Sequence, residues 1–263
     1  MSFGTHLSTR MPAIFYGHGS PMNALDDNAY TRIWQSFAER FTRPKAILAI
    51  SAHWTTRGTE VTAMPMPRTI HDFGGFPKAL FDIHYPAPGA PDLAARVAQI
   101  LAPLPVRMDQ EWGLDHGTWS VLVKTYPKAD IPVIQFSLDM TQGTDYHFAL
   151  GQKLASLRDE GVMIIASGNV VHNLARIDPR STGYDWAHRF NLAMRGAILA
   201  GQFDQVVNYQ SLGQDAVLSV PTSEHFLPLL YVLGARLADE PIEIVTEGME
   251  LGAISMMSVV IGK

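Results

Sequence analysis

Ala13-Ile14-Phe15-Tyr16-Gly17-His18-Gly19-Ser20-Pro21 joins an unbroken apolar run to a histidine set between two glycines. Two further stretches repeat this grammar. Ala46–Ile50 runs into Ser51-Ala52-His53-Trp54, and Val162–Ala166 runs into Ser167-Gly168-Asn169-Val170-Val171-His172-Asn173. Ile131–Phe136 is a fourth run of the same kind, and Ile254–Ile261 is a fifth near the C-terminus. A strand with one wet face alternates apolar and polar residues. These runs are nearly continuous, which predicts strands in a sheet covered on both faces.

Helical periodicity fills the intervals. Tyr30, Ile33, Trp34, Phe37 and Phe41 share a face at 3.6-residue spacing, with Asp26 or Asp27 as the cap. Pro91 suits a first helical turn ahead of Leu93, Val97, Ile100 and Leu101. Asp145–Glu160 carries Phe148, Leu150, Leu154 and Leu157, and Gly161 can end that helix. Trp186–Ala200 is another helix. Strands alternating with helices predict an α/β fold: a single domain over residues 1–263, with a central mostly parallel or mixed sheet flanked by helices. Two long loops are expected. Thr55–Gly89 holds Pro65, Pro67, Pro77, Pro86 and Pro88, and Gly201–Pro221 is polar and poorly periodic.

Composition narrows the function. The chain has 263 residues, 47% hydrophobic and 17% charged, with a formal net charge of −5. No Lys/Arg cluster suggests nucleic acid or an acidic membrane as partner. There is no cysteine, so disulfides, thiolate ligands and a cysteine nucleophile are excluded. Any metal must be held by histidine nitrogen or by oxygen. Met1–Arg10 has no signal-peptide core and the apolar runs are too short to span a bilayer, so a cytoplasmic location is expected.

His18 follows its run by two residues, His53 by three and His172 by six. Taken singly, each is an ordinary loop histidine. Open α/β sheets carry their sites beyond the carboxyl ends of the strands, so three histidines at equivalent places predict one metal site. Gly17 and Gly19 allow a sharp turn and close approach to a ligand. His225, in Thr222-Ser223-Glu224-His225-Phe226-Leu227-Pro228, is a fourth candidate at a helix start capped by Thr222 or Ser223. Pro228 fits the first turn there. Glu224 is an alternative oxygen ligand, and only one of the two neighbours should face the metal. His116, in Asp115-His116-Gly117, is placed to hydrogen-bond substrate or oxygen. His71 and His84 lie in the proline-rich loop, where they are candidates for substrate contact. His6, His147 and His188 read as surface residues.

Seven motifs in this order carry a resemblance. They are Gly17-His18-Gly19-Ser20-Pro21, Ser51-Ala52-His53-Trp54, His71-Asp72-Phe73-Gly74-Gly75-Phe76-Pro77, Tyr85-Pro86-Ala87-Pro88-Gly89, Asp115-His116-Gly117, Gly168-Asn169-Val170-Val171-His172-Asn173 and Glu224-His225-Phe226-Leu227-Pro228-Leu229-Leu230. From about Met11 to Gly262 the chain resembles the class III (LigB-type) extradiol ring-cleavage dioxygenases, in their DOPA 4,5-dioxygenase branch. The resemblance implies an α/β fold with a mixed sheet and one mononuclear divalent metal. It implies His18, His53 and His225 as ligands. His172 would be the active-site base or a further ligand when substrate is absent, and His116 a second active-site histidine near substrate. It implies a small catechol such as L-DOPA and O2 as substrates, with a muconic semialdehyde as product. Fe(II) suits that chemistry. The wider class often uses two histidines and a carboxylate, whereas a set of three or four histidines also suits Zn²⁺. Arg57, Arg68 and the Thr55–Gly89 loop are candidates for holding an amino-acid tail. Two other readings accompany this one: a zinc-dependent hydrolase, and a non-catalytic binding protein on the same fold.

Overall fold

The computed structural model describes residues 10–237 and 240–263, so His6 lies outside the described residues. In chain order the elements are β1 (Ala13–Gly17), α1 (Ala29–Arg40), β2 (Ala46–Thr56), β3 (Thr59–Thr62), α2 (Lys78–Phe81), α3 (Pro91–Leu101), β4 (Val106–Asp109), α4 (His116–Thr125), β5 (Val133–Asp139), α5 (Thr144–Leu154), β6 (Val162–Gly168), α6 (Asp185–Leu199), α7 (Phe203–Val207), α8 (Gln214–Ser219), α9 (Leu227–Gly234), β7 (Ile242–Thr246), β8 (Met249–Glu250), β9 (Ile254–Ser255) and β10 (Ser258–Ile261).

The four apolar runs pair side by side. The main sheet has the order β4-β3-β5-β2-β6-β1-β10-β7. Its centre, β5-β2-β6-β1, is parallel, while β10 joins β1 and β7 antiparallel. The sheet is therefore mixed, with its parallel part in the middle. Alternate side chains of the central strands enter two different cores. Phe15, Leu48, Ile134 and Ile164 pack on one face with α5, α6 and α9 residues such as Leu150, Phe190 and Leu230. Ile14, Ile47, Val133 and Ile165 pack on the other with Trp34, Phe37 and Trp119. Burial on both faces is the reason these strands read as continuous apolar runs.

Several boundaries differ from the sequence reading. Asn28, rather than Asp26 or Asp27, caps α1. Its Oδ1 accepts hydrogen bonds from the Tyr30 and Thr31 N–H groups, each at 3.0 Å. Thr31, Trp34, Phe37 and Phe41 face inward while Ile33 faces solvent, because the aromatic spacing sets the buried stripe. The Asp145–Glu160 segment is α-helical only to Leu154, then tightens into 3-10 turns that Gly161 ends in a left-handed conformation. The Thr55–Gly89 segment is not all loop, since it holds the end of β2, then β3 and α2. Gly201–Pro221 folds into α7 and α8, which turn Val206, Val207, Ala216 and Ser219 inward. Ile254–Ile261 splits into β9 and β10, which belong to different sheets. Among the described residues, no helix is long and apolar enough to cross a membrane.

Strands β2, β6 and β1 are adjacent and parallel, so their carboxyl ends open on the same edge of the sheet. That edge is where the histidines gather.

Candidate active site

His18 is the first residue after β1, and its N–H donates to the Gly168 carbonyl at 3.1 Å. Gly19 turns left-handed at φ +61°, which an L side chain adopts only with strain. His53 is not in a loop, as the apolar run alone suggests, but within β2. Between the Ile50–Phe136 and Thr55–Leu138 pairs the register shifts, and Ser51–Trp54 bulge outward. Such a bulge re-aims a side chain without ending the strand.

His225 precedes α9 in a turn closed by hydrogen bonds from the Phe226 and Leu227 N–H groups to the Ser223 carbonyl. No side chain caps this helix, contrary to the expectation for Thr222 or Ser223, although Pro228 does lie in its first turn. A Cβ at Gly168 would overlap the His225 backbone. That glycine lets the turn approach the end of β6, where Asn169 N–H donates to the His225 carbonyl at 2.9 Å. His116 opens α4, which Asp115 caps through the Thr118 N–H.

The structure brings His18, His53 and His225 together, each offering a ligand atom within 4.8 Å of the others. Their ring centroids are 5.0–5.4 Å apart. The Nδ1 sides turn away toward oxygen atoms: Ser167 Oγ at 2.7 Å from His18, Asp72 Oδ2 at 3.6 Å from His53, and Glu224 Oε1 at 3.4 Å from His225. This leaves each Nε2 for a metal. His53 Nε2 is buried with no hydrogen-bond partner. A buried orphan nitrogen is costly unless something binds it, so the donor set fits a metal ion.

His172 stands beside this trio, stacked on His225 with centroids 3.5 Å apart. It groups with Glu224 and His225, not with His18 and His53. Glu224 accepts from the Thr222 hydroxyl at 2.8 Å and sits on the Nδ1 side of His225. His116 packs on His53 with centroids 3.8 Å apart. Burial, then mutual crowding, holds His18 and His225 well below the ordinary histidine range. Burial pushes His53 down to about 3 and His172 to about 4. Neutral imidazoles at pH 7 are what metal ligation requires. Asp115, entirely buried, is pushed up to about 6 by that burial and by the nearby Asp72.

These histidines open on a cavity of about 340 Å³ whose other walls include Phe73, Phe76, Leu174, Ile177, Leu251 and Ile254. Only Phe73 and Phe76 represent the proline-rich loop here. His71 instead bonds the Ile83 carbonyl at 3.0 Å, and His84 does not line the cavity. Nor do Arg57 and Arg68, and Arg68 Nε donates to the Trp112 carbonyl. His188 is exposed as expected, but His147 is fully buried, its Nδ1 within 2.9 Å of the Tyr231 hydroxyl. Ser167 and Asp72 stand in the quoted motifs, yet their contacts with the site histidines cross between strands and loops and leave no periodic trace.

Residues 4–262 match the family described as the catalytic LigB subunit of aromatic ring-opening dioxygenase. The chain is 56% identical to the 4,5-DOPA dioxygenase extradiol of Escherichia coli K12, over 97% of this chain and 96% of that one. It is 39% identical to the protein of the same name from Beta vulgaris, over 92% of each. A crystal structure titled as an uncharacterized protein of Escherichia coli K12 superposes with a TM-score of 0.85 at 50% identity, covering 96% of this chain and all of that one. The hydrolase and binding-protein readings find no support in these relatives. A histidine-rich pocket at the parallel edge of the sheet and a near full-length match lead to one conclusion: the chain belongs to the LigB family of aromatic ring-opening dioxygenases, as an extradiol enzyme.

Proposed function

We propose that this protein cleaves the ring of catechols such as L-DOPA with O2, on a single Fe(II) held by His18, His53 and His225, to a muconic semialdehyde. The observation that carries the reading is the convergence of three histidines, each with a ligand atom within 4.8 Å of the others, on an apolar cavity flanked by two further histidines. Fe(II), when bound, supplies open coordination positions that bring a catechol and O2 together.

The protein's own groups do the rest. Phe73, Phe76, Leu251 and Ile254 offer apolar walls to the aromatic ring and displace water from it. His172 lies outside the trio and lines the same cavity, so it is placed to take a proton from a catechol hydroxyl. His116 opens on the cavity from the His53 side, placed to hydrogen-bond a substrate oxygen. The test is anaerobic loading with Fe(II), addition of L-DOPA, then air. A yellow semialdehyde with matching O2 uptake supports the reading. No colour and no O2 uptake across a panel of catechols would sink it.

A further inference from the structure

Asp72 faces two imidazoles at once. Its Oδ1 lies 3.0 Å from His116 Nδ1 and accepts a hydrogen bond from the His116 backbone N–H at 2.9 Å. Its Oδ2 lies 3.6 Å from His53 Nδ1. The first ring contact is too poorly aligned, and the second too long, for a good hydrogen bond. Both act as charge contacts across a partly buried gap, where a carboxylate is felt more strongly than in water.

The three residues come from separate elements: the proline-rich loop, the start of α4 and the β2 bulge. The loop is pinned just ahead of Asp72. Ile70 N–H donates to the Leu114 carbonyl at 2.7 Å, Trp119 Nε1 donates to the Ile70 carbonyl at 2.8 Å, and His71 Nε2 meets the Ile83 carbonyl at 3.0 Å. A Cβ at Gly117 would overlap Ser51 and His53, so the helix start is seated tightly on the bulge. The carboxylate is thus held in place by the backbone around it.

We infer that Asp72 is a positioning residue that fixes His53 and His116 relative to each other, joining a metal ligand to the histidine beside the substrate. The inference rests on the metal-site reading above. A carboxylate on the Nδ1 side favours the Nδ1–H tautomer and leaves Nε2 as the donor, and it raises the basicity of that nitrogen. The buried, unpartnered Nε2 of His53 is the atom this tautomer prepares. The same carboxylate on His116 Nδ1 leaves the other ring nitrogen of that residue for the cavity. His53, Asp72 and His116 also bring ligand atoms within 4.8 Å of one another, so direct ligation by Asp72 is the competing role.

The test uses the full-length protein with Asp72→Asn and Asp72→Ser, and with His53→Ala and His116→Gln as references. Co(II) affinity by chelator competition and the visible spectrum of the Co(II) protein are read without turnover. Then kcat and KM for a catechol are measured on Fe(II)-loaded protein. Both Asp72 variants should bind one Co(II) with affinity weakened about 10- to 100-fold, keep the band pattern of the parent, and lower kcat more than they raise KM. Adding Asp72→Asn to His116→Gln should cost less kcat than it does in the parent, because part of its effect passes through His116. Loss of Co(II) as complete as in His53→Ala would overturn the proposal in favour of direct ligation. Parent-like affinity, spectrum and kcat in both variants would overturn it outright. A parent protein inactive on every catechol would defeat the dioxygenase reading alone, since the Co(II) measurements still decide the part played by Asp72.

Discussion

The imidazoles of His172 and His225 lie face to face, 3.5 Å between centroids and 8° between planes. His225 is one of three histidines with mutually close ligand atoms, and His172 is outside that group. The stack therefore separates a candidate ligand from a candidate base on adjacent rings.

Replacing His172 by Asn should leave metal binding near one equivalent while lowering kcat by about 10²- to 10⁴-fold, the usual worth of a positioned acid–base group. His225→Ala should instead lose the metal. Elemental analysis after dialysis, paired with O2 uptake, distinguishes the two. Equal metal loss in both variants would show that His172 is a ligand.

Ser167→Ala removes the hydroxyl 2.7 Å from His18 Nδ1. Ser167 sits in a buried strand, so the fold should tolerate the smaller residue. Metal affinity should fall by about 10-fold, as for loss of other partners behind a ligand. Chelator competition measures this, and an unchanged dissociation constant would refute it.

Gly168→Ala places a methyl against the His225 backbone. The neighbour is backbone and cannot swing aside. The variant should lose about 1–3 kcal/mol of stability through overpacking and should also bind metal more weakly, because the turn carrying His225 is pushed outward. Denaturant unfolding and metal titration should change together.

Arg158 is fully buried and is paired with Glu240 by two hydrogen bonds of 2.7 Å. Burial pushes the Glu240 carboxyl up, but Arg158 and the Leu237 N–H outweigh it and hold the group below its ordinary value of 4.5. A depressed carboxyl pKa contributes stability that is present above the unfolded value and lost as pH falls through the folded one. Glu240→Gln leaves a buried guanidinium without its counter-charge and should cost about 3 kcal/mol near pH 7. The gap between parent and variant should be flat from about pH 6 to 8 and shrink below about pH 4.5. A gap that stays constant into acid would exclude this linkage.

The fold was legible wherever one residue pattern had one physical meaning. Runs such as Ala46–Ile50 and Val162–Ala166 must be covered on both faces, and the parallel centre of the sheet follows. Pro91 and Gly161 mark helix ends because their backbones allow little else. Chain position puts His18, His53 and His172 on one edge of the sheet provided their strands are parallel neighbours, and the structure makes them so. Prediction failed where a choice depended on partners distant in sequence. Asn28 displaced two acidic candidates as the α1 cap because its side chain meets Thr31 in a reciprocal pair. The sequence around His147 suits a surface residue, yet Tyr231, 84 residues away, gives it a buried partner.

By itself, then, the sequence determined an α/β fold around a mostly parallel or mixed sheet, a cysteine-free site and the histidines to examine. Local backbone preference and hydrophobic periodicity are properties of short segments, and they survive without knowledge of the rest. Tertiary structure alone decided that His53 sits on a bulge within β2, that His172 stacks on His225 outside the close trio, and that Arg57 and Arg68 stay out of the cavity. It alone placed Asp72 between His53 and His116. These relationships join residues from different strands, loops and helices. Their geometry exists only once the strands are in register and the two cores are packed.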